Sequence, residues 1–199
     1  MSNLAEIPYL TADDYLAGEA IASVRHEYVD GHAYAMAGAD EAHVTVAGNV
    51  FALLKAHLRG GPCRVYISDM KLQVAQANAY FYPDVFVTCA PADAERRQAK
   101  EEAQVVIEVL SDSTEGYDRG EKFGHYRRLP TLEEYVLIDP RRRSVEVFTR
   151  RDEGWLLWPV PEQGQLDIAS LGFSCDLDAV YEDVMLEPEP PASDDGTGV

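Results

Sequence analysis

The most regular hydrophobic pattern in the chain lies between Asp40 and Leu58. Its apolar side chains recur at steps of three and four residues, which is the spacing of one face of an α-helix. The sequence Gly60-Gly61-Pro62 marks the end of this helix. Closer to the N-terminus, Thr11 followed by Asp14 predicts a capping box that opens a short helix.

Several other runs have the composition of β-strands. The Asp30-Gly31 pair, between two short runs of Tyr, Val and Ala, predicts a β-hairpin. The nearly all-apolar run 104–110 contains one acid and predicts a central strand buried on both faces. The stretch 91–103 is polar and predicts a loop or an exposed helical turn. The remaining predicted strands are CRVYIS, MKLQVA, YFYPDVFVTCA, EYVLIDP, SVEVFTR and WLLWPV.

Helices are predicted beside these strands. Ser113 or Thr114 can cap a helix that extends to Leu129, and the segment 177–185 predicts a last short helix. The order of elements predicts an α+β domain in which helices flank a mixed, curved sheet. We assign residues 1–186 to this single domain. The composition of residues 187–199 predicts an acidic, disordered C-terminal tail.

The charge of the chain is strongly negative but unevenly distributed. The 199 residues include 17 Lys and Arg against 35 Asp and Glu, which gives a formal net charge of −18. Taken as an average, this charge argues against binding of nucleic acid or of an anionic membrane by bulk charge. Residues 119–151, however, hold nine of the basic residues and only five acidic ones. This basic stretch is either a solvated helix face with an Arg-rich turn or a phosphate-binding face.

No apolar run reaches about 18 residues, so no transmembrane helix is expected. The N-terminal residues lack the basic-then-apolar pattern of a signal peptide. The three cysteines, Cys63, Cys89 and Cys175, are far apart and form no CxxC motif. We therefore expect no disulfide framework and a location in the reducing cytoplasm.

Two acidic residues lie in runs where an ionised side chain is costly to bury. Asp84 follows Pro83 among aromatic and apolar residues, and Glu108 is the single acid of the most apolar run. If the two runs are neighbouring strands, the carboxylates converge and supply the oxygen ligands that a divalent cation needs. Alternatively, Asp84 caps a turn where a strand begins, and Glu108 pairs with an arginine at a sheet end.

Lys122 is a third candidate for this site. Lys122 and Tyr126 are four residues apart, so they share a face of the helix that follows the Glu108 strand. A lysine beside a metal-bound water and a phosphate stabilises the negative charge of the transition state. The alternative is an ordinary surface lysine that pairs with Glu121 or with an acid one turn away.

These motifs carry a resemblance to a known family. The tripeptide YPD, the acid in VIEVLSDST and the run YDRGEKFGHYRRLPTLEEYVLIDP resemble the bacterial Uma-two family of restriction-endonuclease-like proteins, within the PD-(D/E)XK nuclease superfamily. The resemblance extends from about Tyr9 to Val184. It implies a restriction-endonuclease-like fold and phosphodiester hydrolysis that depends on a divalent metal, Mg²⁺ or Mn²⁺.

The resemblance also implies roles for individual residues. It maps Asp84 and Glu108 to the two acids of the superfamily motif. The position two residues after Glu108, where the superfamily usually has lysine, is Leu110, and Lys122 on the following helix takes that role. Glu27 matches an N-terminal acid that related nucleases use as an extra metal ligand, or else it is a surface strand residue. We interpret His43, which matches a helix histidine of the family, as a surface or core residue.

We therefore predict a metal-dependent endonuclease that cleaves DNA. The alternative is a non-catalytic interaction module that keeps the nuclease fold and binds a protein partner through its acidic surface. A homodimer is a further expectation, because nucleases that cut both strands are often dimers. The predicted catalytic residues are Asp84, Glu108 and Lys122, the metal ligands are Asp84, Glu108 and Glu27, and the nucleic-acid contacts are Arg119, Arg127 and Arg128.

Overall fold

The computed structural model describes residues 9–186, so the predicted acidic tail, 187–199, lies outside the described residues. The helices are α1 (Ala12–Glu19), α2 (Glu41–His57), α3 (Pro91–Glu95), α4 (Glu115–Tyr117), α5 (Phe123–Tyr126) and α6 (Leu177–Val180). The strands are β1 (His26–Val29), β2 (His32–Ala35), β3 (Arg64–Ile67), β4 (Lys71–Val74), β5 (Ala79–Phe81), β6 (Val85–Thr88), β7 (Ala99–Lys100), β8 (Ala103–Val109), β9 (Glu134–Asp139), β10 (Ser144–Arg151), β11 (Gly154–Val160), β12 (Gln165–Ile168) and β13 (Phe173–Asp176). No helix within 9–186 has both the length and the apolar composition needed to cross a bilayer.

The larger sheet has six strands in the order β11-β10-β9-β8-β6-β3. Strands β8 and β9 run parallel, and every other neighbouring pair is antiparallel. One face of β8 packs in a core with α2 through Val105 and Ile107. Its other face packs in a second core with α5 through Val106 and Leu110. The central strand is therefore buried on both faces, as its apolar run predicts.

The smaller sheet has five strands in the order β2-β1-β5-β4-β7. Its β1–β2 hairpin turns at Asp30 and Gly31, whose φ angles are 42° and 91°. Positive φ at both central residues is the geometry of a type I′ turn, which matches the twist of paired strands. With helices beside two mixed sheets, neither of which closes into a barrel, the predicted α+β class is confirmed.

The run YFYPDVFVTCA divides between the two sheets, although its composition predicts a single strand. Its first part is β5 in the smaller sheet and its second part is β6 in the larger sheet. Pro83 lies between them and has no N–H to donate to a strand ladder, so pairing ends there. Asp84 consequently lies where the chain crosses from one sheet to the other.

The polar stretch 91–103 is more ordered than predicted. It forms α3 and β7, and Asp93 within it is fully buried. The Asp93 carboxylate accepts hydrogen bonds from the backbone N–H groups of Glu101 and Glu102 and from Arg96. Backbone donors and an ion pair offset the cost of burying this carboxylate.

The disulfide between Cys63 and Cys89 shows that the expectation of no disulfide is wrong. Arg64 of β3 lies opposite Thr88 of β6, so one further step along the antiparallel register brings the two cysteines together. Sequence separation alone does not reveal this register. Cys175 is a free, half-buried thiol.

Candidate active site

Strand register places the two predicted acids side by side. Val85 of β6 lies opposite Ile107 of β8, so the preceding residue, Asp84, falls beside Glu108. The Val109 N–H donates to Asp84 Oδ2 at 2.8 Å, and the Asp84 N–H approaches Glu108 Oε2 at 3.4 Å. Both carboxylates therefore lie at one point of the buried sheet.

Lys122 reaches this point from the helical segment that follows β8. A π-helical turn, Asp118–Lys122, joins α4 to α5. The Lys122 Nζ lies 3.0 Å from Glu108 Oε1, and only 8% of its side chain is exposed. One turn later, the Tyr126 hydroxyl donates to the same Glu108 oxygen at 2.8 Å. The lysine therefore does not pair with Glu121 on the surface, and the predicted shared face with Tyr126 points at Glu108.

Glu27 joins the same cluster from the smaller sheet. Its Oε1 lies 2.9 Å from Lys122 Nζ and 3.5 Å from the Tyr82 N–H. Because β1 pairs with β5, the chain crossing at Pro83 carries Tyr82 and Asp84 past this carboxylate. Glu27 is thus part of a buried ion-pair network and is not a surface strand residue.

The structure adds two residues that the sequence analysis did not place in the site. His43, on the first turn of α2, has its Nε2 3.3 Å from Asp84 Oδ2. Asp118 has its Oδ1 3.5 Å from Lys122 Nζ, and this buried oxygen has no hydrogen-bond partner within residues 9–186. The four-residue spacing of Asp118 and Lys122 was an available signal for Asp118. No comparable local signal exists for His43, because its partner comes from a distant strand.

The electrostatics of the cluster are dominated by carboxylates. Burial raises the pKa of Glu108, Lys122 opposes this, and the charge of Asp84 adds to it, so the pKa lies well above its ordinary value. Burial lowers the pKa of Lys122, but the facing carboxylates outweigh burial and hold it well above its usual range. Burial also raises the pKa of Asp118. Four acidic side chains thus surround one lysine and one histidine, and a bound cation would stabilise the ionised form of the acids whose pKa is raised.

Comparison with known proteins identifies the family of this chain. A family model named Uma2, described as "Putative restriction endonuclease", matches residues 12–180. The chain belongs to the Uma2 family. It is 36% identical over 178 residues to the uncharacterised protein slr1290 of Synechocystis sp., covering 89% of this chain and 94% of that protein. It is also 36% identical over 160 residues to sll1609 of the same organism, covering 79% and 90%.

A solved structure shares the fold. The crystal structure of a protein described as a "putative nuclease belonging to DUF820" from Anabaena variabilis superposes with a TM-score of 0.70 and 14% identity. The match covers 86% of this chain and 97% of that one. The family resemblance recognised in the sequence is therefore confirmed. Family and fold together support a nuclease as the class of function.

The arginines predicted to contact nucleic acid occupy different environments in this Uma2 chain. Arg119 is ion-paired with Glu115 at 3.0 Å and also with Glu146. Arg127 lies over the Phe123 ring, 5.1 Å from its centroid, and Arg128 donates to the Gln76 carbonyl at 3.3 Å. The guanidinium groups of Arg127 and Arg128 belong to exposed residues, whereas Arg119 is half-buried. Contact of these arginines with nucleic acid stays a prediction.

The donor set for a metal consists of carboxylate oxygens. Within residues 9–186, no group of three or more His, Cys, Asp or Glu side chains is arranged to hold a metal ion. Asp84 and Glu108 nevertheless provide two adjacent carboxylates, and Mg²⁺ is usually bound by one or two carboxylates together with waters and substrate phosphates. The oxygen donors therefore fit a hard divalent cation.

Proposed function

We propose that this Uma2 protein is a divalent-metal-dependent endonuclease that hydrolyses phosphodiester bonds in DNA. The observation that carries the proposal is the adjacency of Asp84 and Glu108 on neighbouring strands, with Lys122 3.0 Å from the second carboxylate. An acid pair in a buried sheet is costly without a cation partner. A cation site combined with a phosphate substrate explains why these charges are kept together.

Asp84 and Glu108, with Glu27 as an additional ligand, would hold Mg²⁺ or Mn²⁺. When bound, such an ion lowers the pKa of a coordinated water and polarises a phosphoryl oxygen. His43 orients the Asp84 carboxylate through the 3.3 Å contact, and the Tyr126 hydroxyl orients Glu108. Restricting these carboxylates to one geometry lowers the reorganisation needed during the reaction.

Lys122 supplies positive charge where a phosphate develops negative charge. Glu27 and Glu108 fix its ammonium group from two sides, at 2.9 and 3.0 Å. A pre-positioned cation in a water-poor site stabilises a charged transition state more strongly than one in bulk solvent. In this proposal Lys122 performs the role for which the superfamily uses a lysine at the position of Leu110.

The remaining parts of the proposal concern surroundings and partners. Arg127 and Arg128, exposed at the end of α5, contact the DNA backbone, and Arg119 contributes only if it leaves its two glutamates. The homodimer and the cytoplasmic location are retained as predictions, but the Cys63–Cys89 disulfide removes the argument from cysteines for a reducing compartment. Measuring the molar mass by light scattering tests the homodimer.

The proposal is tested by cleavage assays on supercoiled plasmid and on circular single-stranded DNA, with Mg²⁺ or Mn²⁺. We compare the wild type with Asp84→Asn, Glu108→Gln and Lys122→Met, and use Asp167→Asn on exposed β12 as the matched control. We expect at least about a 100-fold loss for the three site variants, since each removes a charge at the reacting centre. The control should cleave like the wild type.

Equal cleavage by all variants would reject the assignment of the site. No cleavage of either substrate, combined with no heat on titration of the wild type with Mn²⁺, would instead support the non-catalytic interaction module. Circular dichroism and urea unfolding show whether each variant is folded before its activity is interpreted.

A further inference from the structure

Tyr34 lies on an exposed strand beside the acid–lysine cluster, which is formed by Glu27, Asp84, Glu108, Asp118 and Lys122. Strand β2 is an edge of the smaller sheet, and all four of its residues are exposed. Tyr34 lies directly opposite Glu27 in the β1–β2 register. Side chains of directly opposite residues emerge on the same face, with Cβ atoms ~4.5–5.5 Å apart. The Tyr34 ring is therefore next to the carboxylate that contacts Lys122.

This ring is not used for packing. Tyr34 is 55% exposed, and within residues 9–186 its side chain makes no aromatic ring contact and no hydrogen bond. By contrast, Tyr15, Tyr28 and Tyr80 pack against one another in a buried cluster. An exposed aromatic ring beside a cluster of charged side chains offers a flat apolar surface to a ligand.

A second tyrosine lies close to the first. Tyr117 of α4 is half-buried, and burial, together with the negative charge of Glu27 and the nearby Tyr34 hydroxyl, raises its pKa to about 12 against the opposing effect of Lys122. Tyr117 is thus near both Glu27 and Tyr34.

Charge pairing limits the contacts available to duplex phosphates. Within the basic stretch 119–151, several arginines are held by acidic side chains, and these are Arg119, Arg141, Arg142 and Arg143. Duplex binding draws most of its affinity from many Lys and Arg contacts with phosphates. Aromatic side chains, in contrast, bind unpaired bases by stacking, independently of base identity.

We propose that Tyr34 stacks on an unpaired base, so that the preferred substrate is single-stranded nucleic acid. The proposal rests on the nuclease function proposed above and specifies its substrate class. The base next to the reacting phosphate lies on the Tyr34 ring. A base within an intact duplex cannot present its face to this ring.

The test measures equilibrium binding by fluorescence anisotropy without divalent metal, so that cleavage does not interfere. The ligands are a labelled single-stranded oligonucleotide and its matching duplex. We expect the intact wild-type protein to bind the single strand at least about 10-fold more tightly. Tyr34→Ala should weaken single-strand binding by about 5- to 150-fold, because one base–aromatic stack contributes ~1–3 kcal/mol.

Two variants separate stacking from other effects. Tyr34→Phe keeps the ring and should bind within about 2-fold of the wild type, since stacking needs the π-face and not the hydroxyl. Trp158→Ala, which removes a 63% exposed aromatic side chain from β11 at the far edge of the larger sheet, should leave binding unchanged. Because Tyr34 is exposed, its replacement should not alter the urea-unfolding midpoint.

The outcomes distinguish this inference from the proposed function. Equal affinity for duplex and single strand, or unchanged binding by Tyr34→Ala, overturns the inference, and cleavage that depends on Asp84 and Glu108 would still support the nuclease. Ring-dependent single-strand binding with no cleavage of any DNA supports the stacking site and overturns the nuclease.

Discussion

Replacing Lys122 with methionine tests whether the lysine holds the carboxylate cluster together. Methionine keeps an unbranched apolar chain of similar length, so packing against the helical segment is largely retained. The ammonium group is lost, however, and Glu27, Glu108 and Asp118 remain without the cation that lies 2.9, 3.0 and 3.5 Å away from them. Removing one partner from a buried ion pair typically destabilises a protein by about 3–5 kcal/mol.

The measurement is urea unfolding followed by tryptophan fluorescence, at neutral pH and in the presence of a chelator. We expect Lys122→Met to lower the free energy of unfolding by about 3–5 kcal/mol. The exposed Lys55→Met, near the end of α2, is the control and should change it by no more than about 0.5 kcal/mol. The slope of the free energy against urea should stay constant if both variants unfold from the same compact state.

A double-mutant cycle with Glu108→Gln identifies the cause of the loss. Each single variant already breaks the Lys122–Glu108 contact, so the sum of the single effects counts that loss twice, and the double variant should be more stable than this sum by about 0.5–3 kcal/mol. Strictly additive effects would contradict a direct interaction between the two groups. A loss for Lys122→Met as small as that of the surface control would refute the whole account of the cluster.

Two further predictions concern the scaffold around the site. Gly31→Ala should lower the free energy of unfolding by at least about 1 kcal/mol, because Gly31 has φ +91° and a Cβ there would lie 2.3 Å from the Tyr9 ring. Gly18→Ala in α1, where a Cβ meets nothing within 4 Å, should instead raise it by about 0.5–1 kcal/mol. Thermal unfolding in which both variants shift stability in the same direction would contradict this prediction. Burial acts to raise the pKa of Glu19, but hydrogen bonds from the His26 backbone and the Tyr82 hydroxyl outweigh it and lower that pKa. The stability that the ionised Glu19 contributes is present above its unfolded-state pKa and is lost as pH falls through its folded-state pKa. Glu19→Gln should therefore have a lower free energy of unfolding than the wild type at neutral pH, and the difference should narrow in acid. Urea unfolding that gives the same difference at every pH would refute this prediction.

Local signals along the sequence predicted the elements that depend on neighbouring residues. The Asp30-Gly31 turn forms because both positions adopt positive φ, which these residue types tolerate. Helix α2 follows from its three- and four-residue periodicity and from the Asp40 side chain that caps it. The shared face of Lys122 and Tyr126 follows from helical spacing alone. Each of these features is determined within a few residues of chain.

Features that depend on register between distant segments could not be predicted in this way. The disulfide of Cys63 and Cys89 requires β3 and β6 to pair with one particular offset. The contact of His43 with Asp84 requires α2 to lie over the edge of β6. The division of one apolar run at Pro83 reflects a choice between two sheets that composition does not encode.

The pairing of charges in the basic stretch 119–151 also depends on segments that are distant in the sequence. Counting charges along the chain gives an excess of positive residues there. The ion-pair partners of these residues, however, are set by the fold and not by their position in the sequence. Asp139 alone pairs with both Arg141 and Arg142, and Asp178, from outside the stretch, pairs with Arg143. The arginine count therefore did not reveal which of these residues are paired with acids, and the net charge of −18 did not reveal the carboxylates gathered at one site.

The position of Leu110 explains how the lysine can reside on a helix. Leu110 is two residues after Glu108, so it points to the same side of the strand, and it is buried in the core that contains Phe123 and Tyr126. An apolar side chain at this position allows the helical segment to pack directly on the sheet, because no ammonium group has to be solvated there. That close packing brings Lys122 within 3.0 Å of Glu108. The leucine at position 110 is thus compatible with the placement of Lys122 on the helical segment.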